Sequence, residues 1–159
     1  MFGFGKKKEL IIVSPLDGVV VPVGQVSDQT FSEDILGKGV AIRPSVGVVK
    51  APADAEIAMM FETGHAVSLT TDSGADILIH VGLDTVQLKG EHYTAHKANG
   101  DRVKTGDKLM TFDMEAIAAK GYDIVTPVVV CNPDSFAEIR FAEEGEIHAG
   151  EPLIFIKPN

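Results

Sequence analysis

Ile77-Leu78-Ile79-His80-Val81-Gly82-Leu83-Asp84 is the stretch on which the reading of the chain turns. Branched aliphatic residues at Ile77, Ile79 and Val81 suit a half-buried strand, and strict alternation sends His80 to the opposite face. Upstream, His65-Ala66-Val67-Ser68-Leu69-Thr70-Thr71 has the same strand character, and the turn-forming Asp72-Ser73-Gly74 lies between the two runs. That pattern is a β-hairpin. A two-residue loop at Asp72-Ser73 sets His65 directly across from His80, and one at Ser73-Gly74 sets it across from Gly82, one same-face step away. Both registers place the imidazoles on one face. A three-residue loop would part them, because a slip of one residue inverts side-chain direction, so the pairing is expected on the condition of an even loop.

The chain has 159 residues, 45% hydrophobic and 23% charged, which bounds it to one globular domain with a sizeable core and excludes a disordered or membranous class. No apolar run is long enough to cross a bilayer and the N-terminus lacks a signal-peptide stretch, so a cytoplasmic protein is expected. The net charge of −9 disfavours nucleic-acid backbones and favours basic protein partners. The single cysteine, Cys131, follows Val128-Val129-Val130 and is expected to be a buried, inert thiol. Residues 1–9, with Phe2, Phe4 and the basic triplet Lys6-Lys7-Lys8, read as a flexible tail, and residues 10–159 as a single domain.

From Leu10 onward, short apolar runs are broken by Pro, Gly, Asp and Asn: Leu10 to Val13, Val19 to Val26, Gly39 to Ile42, Gly47 to Lys50 and Ile57 to Glu62. This spacing predicts an all-β fold, an antiparallel β-sandwich or flattened barrel. Two short helical turns interrupt it. Ser32 is expected to cap one that ends at Gly37, and Met114 to Lys120 forms the other before Gly121. Faint repetition links Ser14-Pro15-Leu16-Asp17-Gly18-Val19-Val20 with Ala51-Pro52-Ala53-Asp54-Ala55-Glu56-Ile57, and Val103 to Leu109 with Ile147 to Leu153. A sandwich of two related halves accounts for both.

The candidate chemistry gathers His65 and His80, with Thr63 on the face of His65 by alternation and Asp84 just beyond His80. A neutral imidazole is a nucleophile near neutral pH, and a phosphoryl group on nitrogen stays labile enough to be passed on. A second imidazole can donate to the phosphoryl oxygens as charge builds there. Three other readings use the same residues. Two histidines are half of a zinc site, but lack a third ligand nearby; they are also a hydrolytic base pair, but no serine sits in a Gly-x-Ser-x-Gly elbow; or both are structural. His92, His96 and His148 read as exposed and uninvolved.

Across these residues the chain resembles the glucose-family IIA proteins of the bacterial phosphoenolpyruvate-dependent sugar phosphotransferase system. The likeness runs from about Ile11 to Lys157. Phe61-Glu62-Thr63-Gly64-His65-Ala66, Asp72-Ser73-Gly74 and above all Ile79-His80-Val81-Gly82-Leu83-Asp84-Thr85-Val86-Gln87-Leu88-Lys89-Gly90 carry it, with Gly100 to Asp107 and Thr126-Pro127-Val128-Val129 in support. The resemblance implies a β-sandwich phosphotransferase component with a covalent phosphohistidine intermediate. In it His80 is the residue phosphorylated on its ε nitrogen, His65 supports the transfer, Thr63 hydrogen-bonds the His65 ring, and Gly82 lends a backbone amide beside the site. The implied donor is the phosphocarrier protein HPr and the acceptor a cysteine of a sugar-specific IIB domain, with the membrane reached only through the IIBC permease.

The resemblance further implies an apolar docking depression formed by Phe31, Ile35, Phe61, Val67 and Leu78, with Asp28 and Asp84 meeting a basic side chain of the partner. Val67 and Val81 stand where enteric relatives carry phenylalanine, which implies a less aromatic patch. No cofactor is required on this reading, and zinc held by His65 and His80 belongs to regulatory complexes of particular branches. Two rivals remain at this point: a biotinyl or lipoyl carrier module, which needs a lysine at a hairpin tip that Asp72-Ser73-Gly74 does not offer, and a zinc-dependent peptidase-like sandwich.

Overall fold

The computed structural model describes residues 8–159. The tail expected over residues 1–9 therefore falls mostly outside the described residues, although the Glu9 carboxylate is tied to Arg140 at 2.7 Å. Among the described residues the short apolar runs become fourteen short strands: β1 (Leu10–Val13), β2 (Gly18–Val21), β3 (Lys38–Pro44), β4 (Val48–Lys50), β5 (Ala55–Met60), β6 (Ala66–Thr71), β7 (Asp76–His80), β8 (Tyr93–Ala95), β9 (Arg102–Val103), β10 (Lys108–Phe112), β11 (Thr126–Val130), β12 (Phe136–Phe141), β13 (Gly145–Ile147) and β14 (Pro152–Pro158). They pair antiparallel into one eight-stranded sheet, ordered β13-β2-β3-β11-β7-β6-β5-β9, and two three-stranded sheets, β1-β14-β12 and β4-β10-β8. The architecture is an antiparallel sandwich; the sheets do not close into a barrel.

Between the layers lies a core of fully buried aliphatic side chains, among them Ile12, Ile42, Leu69, Ile79, Leu109 and Ile154. Each removes enough apolar surface from water to contribute roughly 1.5–3 kcal/mol before entropy is counted. A smaller cluster of Val26, Phe31, Ala41, Leu83, Val125 and Val129 covers the other face of the large sheet. This explains why β11 ends in three consecutive valines: Val128 and Val130 face the main core while Val129 faces the smaller cluster, and all five residues of the strand are buried.

The repeated motifs mark an approximate two-fold relation within the chain. The Val13 amide donates to Pro52 O (3.0 Å) and the Lys50 amide to Pro15 O (2.8 Å). Asp17 accepts from the Ala149 amide at 2.7 Å as Asp54 accepts from the Thr105 amide at 2.9 Å. The strand order is a palindrome under the same exchange: β1 to β3 correspond to β4 to β6, and β7 to β10 correspond to β11 to β14. The axis passes between β7 and β11, the two middle strands, where Leu78 lies against Val129.

Two local expectations are corrected. Ser32 does not cap the first helix; it ends α1 (Gln29–Ser32), whose cap is Asp28, accepting from the Thr30 amide at 2.9 Å. Aspartate one step before the turn is the better-placed acceptor for the orphan amides. The second helix, α2 (Met114–Ala119), is capped by Asp113, and turns again at Gly121. Cys131 is exposed, not buried, because it lies one residue past the end of β11 where the cover stops; partial desolvation and Asp76 push its thiol pKa up, away from a reactive thiolate. Among the described residues no helix is long and apolar enough to cross a membrane.

Candidate functional site

The site is built where the β6–β7 hairpin ends. Contrary to the even loop expected, the turn is Asp72-Ser73-Gly74, closed by the Thr71 amide on Ala75 O (3.0 Å), and the register pairs Ala66 with His80 and Val67 with Ile79. Alternation alone would then put His65 and His80 on opposite faces. The rings nevertheless meet, with centroids 4.8 Å apart and planes at 82°. His65 lies one residue before β6 begins, directly after Gly64 at φ +70°, a left-handed conformation that takes the chain out of the pleat. At that point the turn, and no longer the pleat, sets where the ring points.

His80 closes β7. Its Nδ1–H donates to the Gly82 carbonyl at 2.7 Å. Because a carbonyl only accepts, the proton of the neutral ring is on Nδ1 and Nε2 is a free lone pair. Here the role expected of Gly82 is corrected: its amide is spent on Val125 O at 3.1 Å, and its carbonyl is the group that serves the site. Phe31 packs on the His80 ring at 5.1 Å. Burial lowers the His80 pKa, and the Gly82 hydrogen bond with the charges of Asp28 and Asp84 partly offsets that.

His65 is more enclosed, at 2% exposure. Thr63 Oγ1 is hydrogen-bonded to its Nδ1, and Phe61 meets the ring edge-on at 5.5 Å. Burial first, and the neighbouring His80 second, push its pKa down to about 4. Both imidazoles are thus neutral at pH 7.

The apolar positions divide. Phe31 and half-buried Leu78 belong to the smaller cluster beside His80, Phe61 lines the His65 side, and Ile35 stands out at 66% exposure. Val67 does not belong to the surface: it is fully buried in the main core, as is Val81, because both point inward from the hairpin with Ile79. Whatever side chain stands at these two positions therefore bears on core packing and not on the exposed patch. Asp28 and Asp84 flank a shallow groove of about 510 Å3, lined also by Ser27, Gln29, Thr30 and Leu83. Asp84 takes a left-handed φ of +59° ahead of the 3-10 turn Thr85–Leu88, which leaves Val86 exposed beside it.

Sequence reasoning missed three residues here: Val86, Thr85 and Tyr93. Thr85 Oγ1 and the Tyr93 hydroxyl both donate to Val81 O, at 2.7 and 2.8 Å. The one signal for Tyr93 is that it is the single aromatic hydrocarbon ring in the run from Gly90 to Lys97, which otherwise has no large apolar side chain. Of the remaining histidines, His92 sits beside Glu91 at 3.1 Å, His96 bonds Thr111 Oγ1 at 3.0 Å and His148 lies 3.8 Å from Asp17, all away from the pair. Two rings fall short of the three protein ligands of a catalytic zinc centre, and among the described residues no three His, Cys, Asp or Glu side chains are gathered for a metal.

Comparison with known proteins adds a family. The family model described as phosphoenolpyruvate-dependent sugar phosphotransferase system, EIIA 1, matches residues 10–136. A glucose-specific EIIA component of Oceanobacillus iheyensis is 42% identical over 147 residues, covering 92% of this chain and 89% of that protein. A beta-glucoside-specific EIIBCA component of Bacillus subtilis is 45% identical over 144 residues, 91% of this chain; the match spans 24% of that longer protein. Glucose permease IIA from Mycoplasma capricolum superposes with a TM-score of 0.87 at 32% identity, covering 98% of this chain and 99% of that one.

Proposed function

The chain belongs to the EIIA 1 family of the phosphoenolpyruvate-dependent sugar phosphotransferase system, and we propose that within it His80 carries the phosphoryl group, taking it from phospho-HPr and giving it to the cysteine of a sugar-specific IIB domain. The observation that carries this reading is the edge contact of two neutral imidazoles, one with its Nδ1–H fixed on a backbone carbonyl.

With Nδ1 protonated, the Nε2 lone pair of His80 attacks phosphorus as the bond to the donor breaks, and Nδ1 keeps its proton throughout. The Gly82 carbonyl holds that proton and stabilises the positive character the ring gains. His65 has its Nδ1 occupied by the Thr63 hydroxyl; with that hydroxyl donating, its Nε2–H faces the transferring group and bonds an equatorial oxygen. Onward transfer reverses the step, with the IIB thiolate attacking phosphorus and His80 leaving as the neutral ring. Phe31, Phe61, Leu78, Ile35 and Val86 exclude water around the pair during contact, while Asp28 and Asp84 steer a basic partner.

The IIB assignment gains support from relatives named EIIBCA components, in which the matching segment is one part of a longer chain. Zinc shared by His65 and His80 would need a further ligand from a partner and is no part of this transfer. Incubation with phosphoenolpyruvate, enzyme I and HPr is expected to add one acid-labile phosphate, lost in His80→Gln. In His65→Gln, His80 still accepts phosphate and transfers it onward slowly. Label retained by His80→Gln would overturn the assignment.

A further inference from the structure

Resting on that reading of His80, we propose that Tyr93 is a positioning residue for the phosphoryl acceptor, acting through the Val81 carbonyl it shares with Thr85.

The argument begins at the end of β7. Val81 lies one residue beyond the last ladder position, with its amide donating to His65 O at 2.7 Å. Its carbonyl is met by two side-chain hydroxyls, Thr85 Oγ1 at 2.7 Å and Tyr93 OH at 2.8 Å. Two donors on one carbonyl fill both of its lone pairs and hold the Val81–Gly82 peptide plane from both sides. The next carbonyl along, that of Gly82, is the acceptor for His80 Nδ1–H at 2.7 Å. That carbonyl belongs to the following peptide unit, Gly82–Leu83, whose amide is held on Asp123 O at 2.9 Å, and the two units meet at the Gly82 Cα. If the Val81 carbonyl lost its hold, the segment could shift about that Cα, carry the Gly82 acceptor away and release the ring to its other tautomer, with the proton on Nε2 and no lone pair there to attack phosphorus.

Gly82 is the joint between the two peptide units. It has φ +88°, and its own amide is anchored on Val125 O at 3.1 Å. Thr85 packs against it so closely that a Cβ at Gly82 would come within 2.5 Å of Thr85 Cγ2. Tyr93 reaches the clamp from a different sheet: it opens β8, in the β4-β10-β8 layer, while Val81 follows a strand of the large sheet. Its ring is wedged between His65, at 6.4 Å, and Phe112, at 6.3 Å. The hydroxyl therefore ties the His80 segment to the opposite layer of the sandwich, and its half-buried setting raises its pKa, so it remains a donor.

The decisive variant is Tyr93→Phe, which keeps the ring and deletes the donor; Thr85→Val and Thr85→Ser serve as the loss and rescue pair on the other side of the clamp. Nitrogen-15 imidazole spectra of the full chain read the His80 tautomer directly, without any transfer step. The unaltered protein is expected to show Nδ1–H. Tyr93→Phe should show a growing Nε2–H population and accept phosphate from phospho-HPr about threefold to tenfold more slowly, the value of one neutral hydrogen bond. Thr85→Val should behave likewise and Thr85→Ser should restore both readings. If His80 keeps its Nδ1–H signature in Tyr93→Phe and in the Tyr93→Phe, Thr85→Val double variant, whatever happens to thermal stability, the positioning role is wrong. Should the unaltered protein accept no phosphate at all, the carrier reading fails while the tautomer spectra still decide the clamp.

Discussion

Lowering the pH should destabilise this protein through His65 in a window that one substitution removes. The ring is 2% exposed and its pKa is pushed from 6.5 to about 4, so between those values the unfolded chain binds a proton that the folded chain refuses. Stability from this group is fully present above pH 6.5 and falls as the pH drops through 4, because the unfolded state holds more protons in that interval. At 1.36 kcal/mol per pKa unit the full loss is about 3 kcal/mol, enough to move a urea midpoint by about 1 M or more. The assay is urea unfolding at pH 7.5, 6, 5 and 4 for the unaltered protein and His65→Gln. The pKa of His80 is lowered too, giving a slope of the same sign in both proteins, and carboxylates titrate in both, so the difference between the two curves isolates His65. The difference should open by about 3 kcal/mol from pH 7.5 to 4, to the disadvantage of the histidine protein. Parallel curves, or a His65 ring proton that titrates near 6.5, would refute the reasoning.

Gly82→Ala should cost about 2–4 kcal/mol, from left-handed strain and from overpacking against fully buried Thr85, read as a fall in the urea midpoint with an unchanged slope. A loss below about 0.5 kcal/mol would mean the joint is looser than its contacts imply. Asp28→Asn with Asp84→Asn removes two charges that hold the His80 pKa up while keeping a side chain able to cap α1, so the His80 titration should move lower still. The same double variant should accept phosphate from phospho-HPr more slowly at low salt and lose most of the salt dependence; an unchanged salt dependence would remove the acids from the steering role.

What the sequence made legible was set by period and spacing. Alternation through Ile77, Ile79 and His80 placed a strand with the ring away from the core, and the Asp17 and Asp54 motifs announced two related halves before their matching hydrogen bonds were seen. What escaped it lay wherever period stops applying. His65 sits outside the ladder, behind a left-handed glycine, so a parity rule for the hairpin gave the right neighbour from the wrong register. The side of the hairpin on which Val67 falls was decided by that same register, which is why it proved to be core and not docking surface, alongside the Val81 that alternation had already turned inward. Gly82 was expected to lend its amide, but Val125 O claims it, and no local pattern reports a partner forty-three positions away. Cys131 followed three buried valines, yet burial ended with the strand. Tyr93 joins the site across two sheets, a contact with no signature in spacing.

The two-fold relation inside the chain gives the site a built-in control. Ser45 and Asp72 donate equivalently to Asp17 O and Asp54 O, and counting back along β3 and β6 from them brings Gly39 to the place of Ala66 and Lys38 to that of His65. Gly39 pairs with Val129 as Ala66 pairs with His80. One molecule thus displays the same strand pairing twice, once furnished with two imidazoles and once with a valine and a lysine. The blank copy shows that the pairing geometry is available on both sides of the axis and that a handful of side chains on one side supplies the chemistry. A transplant of His65, His80 and their supports onto Lys38, Val129 and their neighbours would ask how small that handful is.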